Sequence, residues 1–149
     1  MKVAIGSDHA GYAAKEKIKQ LLKNLGIEFT DLGTDSDSSV DYPDFGAAVG
    51  REVAAGRASS GIVVCGSGIG IAIAANKVDG IRAAQAWNEL TARLAREHND
   101  ANVLAIGARV LSDSEIEAIV KSWFSANYEG GRHQMRIDKI TAIEGDSSK

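Results

Sequence analysis

Gly61-Ile62-Val63-Val64-Cys65-Gly66-Ser67-Gly68-Ile69-Gly70 is followed at once by the apolar segment Ile71-Ala72-Ile73-Ala74-Ala75. An apolar run ends in the chain's only cysteine, and three glycines then alternate with other residues. This pattern reads as a buried strand, a tight loop and the start of a helix. Such a loop gathers backbone N–H groups around one small volume, and the helix N-terminus adds positive potential there. A thiol at the rim of that volume is expected to ionise readily.

Working outward toward the N-terminus, residues 2–6 form a short apolar run and the first predicted strand. Ser7-Asp8-His9-Ala10-Gly11 is polar where a strand should hand over to a helix. Ala14, Ile18, Leu21, Leu22 and Leu25 then recur at helical spacing, which puts Lys15, Lys19 and Lys23 on the predicted wet side. Gly26 stands where a helix would end. Residues 27–32 are the second predicted strand, and residues 34–41 are a polar loop. Pro43 suits the first turn of a helix running to about residue 55.

Toward the C-terminus, a helix is predicted over residues 69–78, with Asp79-Gly80 as a turn. Residues 81–86 form the fourth strand. Asn88 is a plausible N-cap for the next helix. Leu90, Leu94 and His98 fall at steps of four on that helix, which aligns His98 with a predicted buried stripe. Residues 102–106 form the fifth strand. Ser112-Asp113-Ser114-Glu115 is a capping box, opening a helix with Ile116, Ile119, Val120, Trp123 and Phe124 on one face. Gly130-Gly131 breaks the chain before a last basic helix over residues 132–143. The tail over residues 145–149 is expected to be disordered.

The alternation of strands and helices predicts an α/β fold: a Rossmann-like α/β/α sandwich with a five-stranded parallel sheet. All 149 residues fit one domain. The final helix follows no strand, so it is expected to pack on a second subunit.

The totals narrow the function classes. The chain is 44% hydrophobic and 25% charged, with a net charge of −3. A slightly acidic chain lacks the concentrated basic face that sequence-independent nucleic-acid binding needs. No stretch approaches the roughly 20 apolar residues of a membrane span, and the short apolar N-terminus does not read as a signal peptide. A single cysteine excludes an internal disulfide framework and suits a reducing cytoplasm.

In open α/β sheets, ligands bind outside the carboxyl ends of the strands. The first strand delivers Asp8 and His9 there, and the third delivers Cys65, Gly66, Ser67, Gly68 and Gly70. The fifth strand lies between His98-Asn99, just before it, and Arg109, just after it. Cys65 alone could be a small buried hydrophobe, but the glycine loop after it favours a chemical role, because loop N–H groups can stabilise nearby negative charge. Arg132 and Arg136 stand four apart on one helix face with His133 beside them. Two guanidinium groups at that spacing can converge on one phosphate; the plain alternative is a solvated basic face.

Other phosphate motifs do not fit. A dinucleotide fingerprint needs G-x-G-x-x-G after the first strand and an acidic residue some 20 positions on. Here the pattern is G-x-G-x-G after the third strand, and the next strand ends Ala83-Ala84-Gln85 without an acid. The Gly-Lys-Ser/Thr of a Walker loop is absent. His9, His98 and His133 are far apart in sequence and offer no close ligand pair, so no metal is expected.

Together these pieces resemble the type B ribose-5-phosphate isomerases, within the wider family that includes galactose-6-phosphate isomerase subunits. The resemblance is carried by Gly6-Ser7-Asp8-His9-Ala10-Gly11, Asp41-Tyr42-Pro43, Cys65-Gly66-Ser67-Gly68-Ile69-Gly70, Ala74-Ala75-Asn76-Lys77, Glu97-His98-Asn99-Asp100-Ala101-Asn102 and Tyr128-Glu129-Gly130-Gly131-Arg132-His133. It implies a metal-free and cofactor-free enzyme that moves a proton between C1 and C2 of a sugar phosphate through an enediolate. It further implies Cys65 as the base, and the loop from Gly66 through Ser67, Gly68 and Ile69 to Gly70 as the cradle for the enediolate. His98 would open the sugar ring, and Asn99 and Asp8 would hold hydroxyls. His9, Arg109, Arg132 and Arg136 would bind phosphate, and Tyr42 would line the pocket.

Two positions qualify the match. Ser67 stands where many relatives have threonine, which keeps the hydroxyl and loses a methyl contact. Another branch lacks the cysteine and has a glutamate where this chain has Ile71, so the cysteine-type assignment follows. The resemblance also implies at least a homodimer, or a dimer of dimers, with sites at the interfaces and part of the phosphate anchor supplied by the partner. The expected reaction interconverts ribose 5-phosphate and ribulose 5-phosphate. One alternative keeps the mechanism on a six-carbon phosphate such as allose or galactose 6-phosphate; another is a sugar-phosphate-binding module without catalysis. A thiol phosphatase lacks its Cys-x5-Arg, since position 71 is isoleucine.

Overall fold

In the computed structural model, which describes residues 1–146, five parallel strands form one sheet. The elements in chain order are β1 (Lys2–Ser7), α1 (Tyr12–Asn24), β2 (Glu28–Asp31), α2 (Tyr42–Ala54), β3 (Ser60–Cys65), α3 (Ile69–Asn76), β4 (Ala83–Gln85), α4 (Glu89–Asn99), β5 (Val103–Gly107), α5 (Asp113–Ser125) and α6 (Arg132–Asp146). The sheet order is β2-β1-β3-β5-β4. The expected Rossmann-like sandwich with a five-stranded parallel sheet and an extra C-terminal helix is therefore what the chain forms. The two edge strands are shorter than predicted. Glu28 and Asp31 at the ends of β2 are exposed, and β4 keeps only three paired residues.

Strand alternation sorts the core into two layers. Ile62 and Val64 of β3 face α1, α4 and α5, packing with Ile18, Leu22, Ile119, Val120 and Trp123. Val63 and Cys65 face α2 and α3, packing with Val49, Ile71 and Ala75. The thiol thus enters the second layer because of its parity on β3. The chain leaves β1 for β2 on one side and then crosses to β3 on the other. This reversal opens a crevice beyond the carboxyl ends of β1 and β3, the place where such sheets bind ligands.

Three helix faces differ from the reading of the sequence. Lys15 is fully buried, not wet, because it lies on the same face of α1 as Ile18 and Leu22, three and seven residues on. Its ammonium is held by Asp31 at 2.7 Å and by Glu16 at 3.1 Å, and Lys19 bonds the same two carboxylates. On α4 the buried stripe is Ala92 and Ala95, while Leu90 is exposed and His98 sits at the edge. The small alanines let α4 lie close to the sheet, and the larger side chains turn outward. The helix α6 buries His133 and Ile137 against its own chain and leaves Met135, Ile140 and Ile143 exposed. It also runs through Gly145 and Asp146, where a tail was expected; the rest of that expected tail lies outside the described residues.

Candidate active site

The first strand ends at Ser7, and the next two residues are fixed by the turn into α1. The Asp8 carboxylate accepts the N–H of Gly11 at 3.0 Å, and Asp8 itself is buried. The His9 ring has Nδ1 3.2 Å from both the N and the O of Val40, which ties it to the loop over residues 34–41. Tyr42 opens α2 directly after that loop, with Pro43 in the first turn as expected.

Cys65 closes β3 and is nearly inaccessible, at 4% exposure. Gly68 then takes a left-handed conformation, φ +78°, that turns the chain into α3. The turn brings the Gly68 N–H to 3.1 Å from the Cys65 sulfur, to which it donates. The Ser67 hydroxyl accepts the N–H of Ile69 at 3.2 Å. The carbonyls of Cys65 and Gly66 accept the N–H groups of Ala108 and Arg109 at 2.8 and 2.9 Å, and the Ser67 carbonyl accepts Nε2 of Gln85. The loop is therefore anchored through its carbonyls to the segment after β5 and to the last residue of β4.

Glycine at two loop positions is a matter of space. A Cβ on Gly70 would lie 2.5 Å from Cζ of Tyr42, so the tyrosine ring rests on the bare backbone there. A Cβ on Gly66 would lie 3.3 Å from Cδ of Arg109, whose side chain passes over the loop. Asp8, His9, Tyr42, Cys65, Gly66, Ser67, Ile69, Gly70 and Arg109 all line one open cleft of about 670 Å³, with Gly68 just behind Cys65. Its rim is apolar and exposed at Tyr42, Ile69, Ile73 and Val110.

The remaining expected residues lie elsewhere. His98 and Asn99 end α4, and the chain then enters β5, so they sit at the amino ends of the strands, opposite the cleft. Asn99 lies beside Arg82, which precedes β4 and donates to its carbonyl at 3.0 Å. Arg132 and Arg136 stand exposed on α6, and neither pairs with a carboxylate among the described residues. The fold thus divides the expected site into a thiol cluster and a histidine–arginine cluster.

The second cluster contains partners that the reading of the sequence missed. The rings of His98 and His133 stack with centroids 4.3 Å apart and planes 17° from parallel. The Glu129 carboxylate lies 3.4 Å from Nε2 of His133 and 4.0 Å from Nε2 of His98. Glu129 is drawn in because its N–H donates to the Glu97 carbonyl at 3.0 Å. Fold contact, not sequence spacing, brings these two histidines together. These three side chains have metal-ligand chemistry and lie within 4.8 Å of one another. A metal on both nitrogens would have to lie near both ring planes, however, and rings stacked 4.3 Å apart at 17° have no such point within bonding distance, about 2 Å. As oriented, the group is a stacked pair sharing one carboxylate.

A family model described as ribose/galactose isomerase matches residues 3–140. Ribose-5-phosphate isomerase B of Escherichia coli is 48% identical over 143 residues, covering 96% of each chain. The solved structure of ribose-5-phosphate isomerase B from Clostridium thermocellum superposes with a TM-score of 0.98 at 52% identity, covering 99% of each chain. That of the Mycoplasma genitalium enzyme with bound ribulose-5-phosphate gives a TM-score of 0.92 at 44% identity, covering 97% of this chain and 96% of that one.

Proposed function

The chain belongs to the ribose/galactose isomerase family, and on that premise we propose that it interconverts ribose 5-phosphate and ribulose 5-phosphate. It is an aldose–ketose isomerase. The observation that carries the reading is the Cys65 sulfur at the floor of the cleft, with a loop N–H donated to it at 3.1 Å. A thiolate there takes the proton from C2 of the open-chain aldose. The electron pair of the broken C–H bond forms the C1–C2 double bond, and the carbonyl pair moves onto O1. The enediolate so formed carries its charge beside the loop over residues 66–70, where backbone N–H groups and the Ser67 hydroxyl stabilise it. A proton moves from O2 to O1 and another is delivered to C1, which leaves the ketose.

The other roles follow the family resemblance. Asp8 and Asn99 hold hydroxyls, and Tyr42 lines the pocket. His9, Arg109, Arg132 and Arg136 bind the phosphate, and His98 opens the ring. Since His98, Asn99, Arg132 and Arg136 lie at the other end of the same sheet, we read the site as composite. A second copy supplies its histidine–arginine cluster to the thiol cleft of the first. The exposed apolar rim of the cleft and the exposed apolar residues of α6 support such a homodimer. No described helix is long and apolar enough to cross a membrane. A catalytic thiol suits a reducing compartment, and the proposal places the enzyme in the cytoplasm.

The test is Cys65→Ala. Turnover is expected to fall about 10²- to 10⁴-fold, the range of a lost general base, while ribulose 5-phosphate still binds. Turnover at the wild-type level would remove Cys65 as base; binding without turnover in the wild type would favour the non-catalytic module. Allose 6-phosphate and galactose 6-phosphate serve as competitors, and a higher kcat/KM for either would move the substrate to six carbons.

A further inference from the structure

Gln85 is the last residue of β4, and its side chain reaches the glycine loop. Its Nε2 donates to the carbonyl oxygen of Ser67. The same peptide unit carries the N–H of Gly68, which donates to the Cys65 sulfur at 3.1 Å. That peptide is trans, so it is planar and its C=O and N–H point in opposite directions. Fixing the carbonyl therefore fixes where the N–H points. A hydrogen bond accepted at the carbonyl also polarises the peptide and makes its N–H a stronger donor.

The surroundings leave this unit little freedom. A Cβ on Gly107 would lie 2.5 Å from the Ser67 oxygen, so that carbonyl packs directly on the bare backbone of β5. A Cβ on Gly68 would lie 2.9 Å from Nε2 of Gln85. The two preceding carbonyls, of Cys65 and Gly66, are held by backbone donors after β5. Only for Ser67 among these three is the donor a side chain, and so open to substitution.

We propose that Gln85 is a positioning residue for the isomerisation. Through the Ser67–Gly68 peptide it aims and polarises the N–H on which the negative charge of the Cys65 sulfur rests. The inference depends on the reading of Cys65 as the base. It adds a residue outside the cleft, on a strand whose lack of an acid had marked only the absence of a dinucleotide site.

The experiment uses the full-length protein with Gln85→Met, which keeps volume without a donor, and Gln85→Glu, which keeps shape with an acceptor facing the carbonyl. Both are expected to lower kcat about five- to tenfold, the worth of one hydrogen bond, with KM changed less than about twofold. The second readout is the rate of Cys65 alkylation by iodoacetamide at fixed neutral pH, which is clean because the chain has one cysteine. Loss of the aimed N–H slows alkylation by a similar factor. A merely structural role would loosen the loop, expose the sulfur and speed it. Unchanged kcat and alkylation, or faster alkylation, in a folded variant overturns the proposal. If Cys65→Ala keeps full turnover, the reading of Cys65 fails instead, and the two failures are distinct. If one variant does not fold, the other decides.

Discussion

The N–H of Gly68 donates to the Cys65 sulfur at 3.1 Å from a backbone held at φ +78°. A side chain at this position meets two penalties. The left-handed conformation costs a non-glycine residue about 1–2 kcal/mol. A Cβ would also lie 2.8 Å from the Ile106 carbonyl carbon and 2.9 Å from the Gly107 nitrogen, both backbone atoms that yield little. Gly68→Ala is therefore expected to lower the melting temperature by about 5–10 °C, at roughly 2–4 °C per kcal/mol for a chain of this size. It should also lower kcat about 10- to 100-fold, because the displaced N–H no longer holds the Cys65 thiolate, a charged hydrogen bond worth about 1.5–3 kcal/mol. Thermal unfolding and steady-state kinetics on the same preparation check both halves.

The buried Lys15 gives a stability prediction with a pH signature. Burial alone would raise the Asp31 carboxyl, but hydrogen bonds from Lys15, Lys19 and the Gly33 N–H outweigh it and hold it below the usual carboxylate range. Glu16 is lowered chiefly by its hydrogen bond to Lys19, with burial opposing. A carboxyl lowered by folding contributes stability above its unfolded value, and that contribution is lost as pH falls through the folded value. The wild type should thus weaken on acidification below about pH 4, and Asp31→Asn should flatten that part of the curve. At neutral pH, Asp31→Asn leaves the buried Lys15 ammonium with Glu16 as its one carboxylate and is expected to cost about 2–4 kcal/mol; Lys15→Met, which removes the charge, should cost less. Urea unfolding across pH reads out all three expectations.

Gly70 and Tyr42 form a pair that a double-mutant cycle can isolate. An added Cβ at Gly70 would sit 2.5 Å from Cζ and 2.6 Å from Cε2 of the tyrosine. Gly70→Ala alone should push the ring off the loop and raise KM for ribulose 5-phosphate by about tenfold. In a Tyr42→Ala background the same change should cost less than about twofold, because the clash is gone. Equal effects in both backgrounds would mean that the tyrosine does not shape the cleft.

Much of this molecule was legible where local physics decides. The capping box at Ser112 forms as read, with the Glu115 N–H 3.2 Å from the serine hydroxyl and its carboxylate 2.7 Å from the Ser112 N–H. Asn88 caps α4 in the same reciprocal way. The strand–loop–helix around Cys65 was visible because its apolar run and glycines leave few other conformations. What was hidden depended on facing elements. Lys15 carries the helical phase of Ile18 and Leu22, but its charge argued for solvent until the partner Asp31 on β2 was seen. The stacking of His98 on His133 joins residues from two helices, α4 and α6. Gln85 meets Ser67, although β5 lies between β3 and β4, because the loop after β3 crosses the bare backbone of Gly107 at the end of β5. No spacing rule reports such contacts.

The division of the site between two ends of one sheet makes a prediction about mixtures. If each active site joins the Cys65 cluster of one copy to the His98 cluster of another, then Cys65→Ala and His98→Ala proteins are each inactive for a different reason. A hybrid of the two holds one site with both defects and one with neither. Dissociating and reassembling equal amounts should therefore restore about a quarter of wild-type activity, since about half the dimers are hybrids with one good site each. Neither variant should gain activity when reassembled alone. A site built within one copy cannot be repaired this way, so a mixture that stays as inactive as its parts, despite hybrids confirmed by native mass spectrometry, would put His98 outside the site that Cys65 serves.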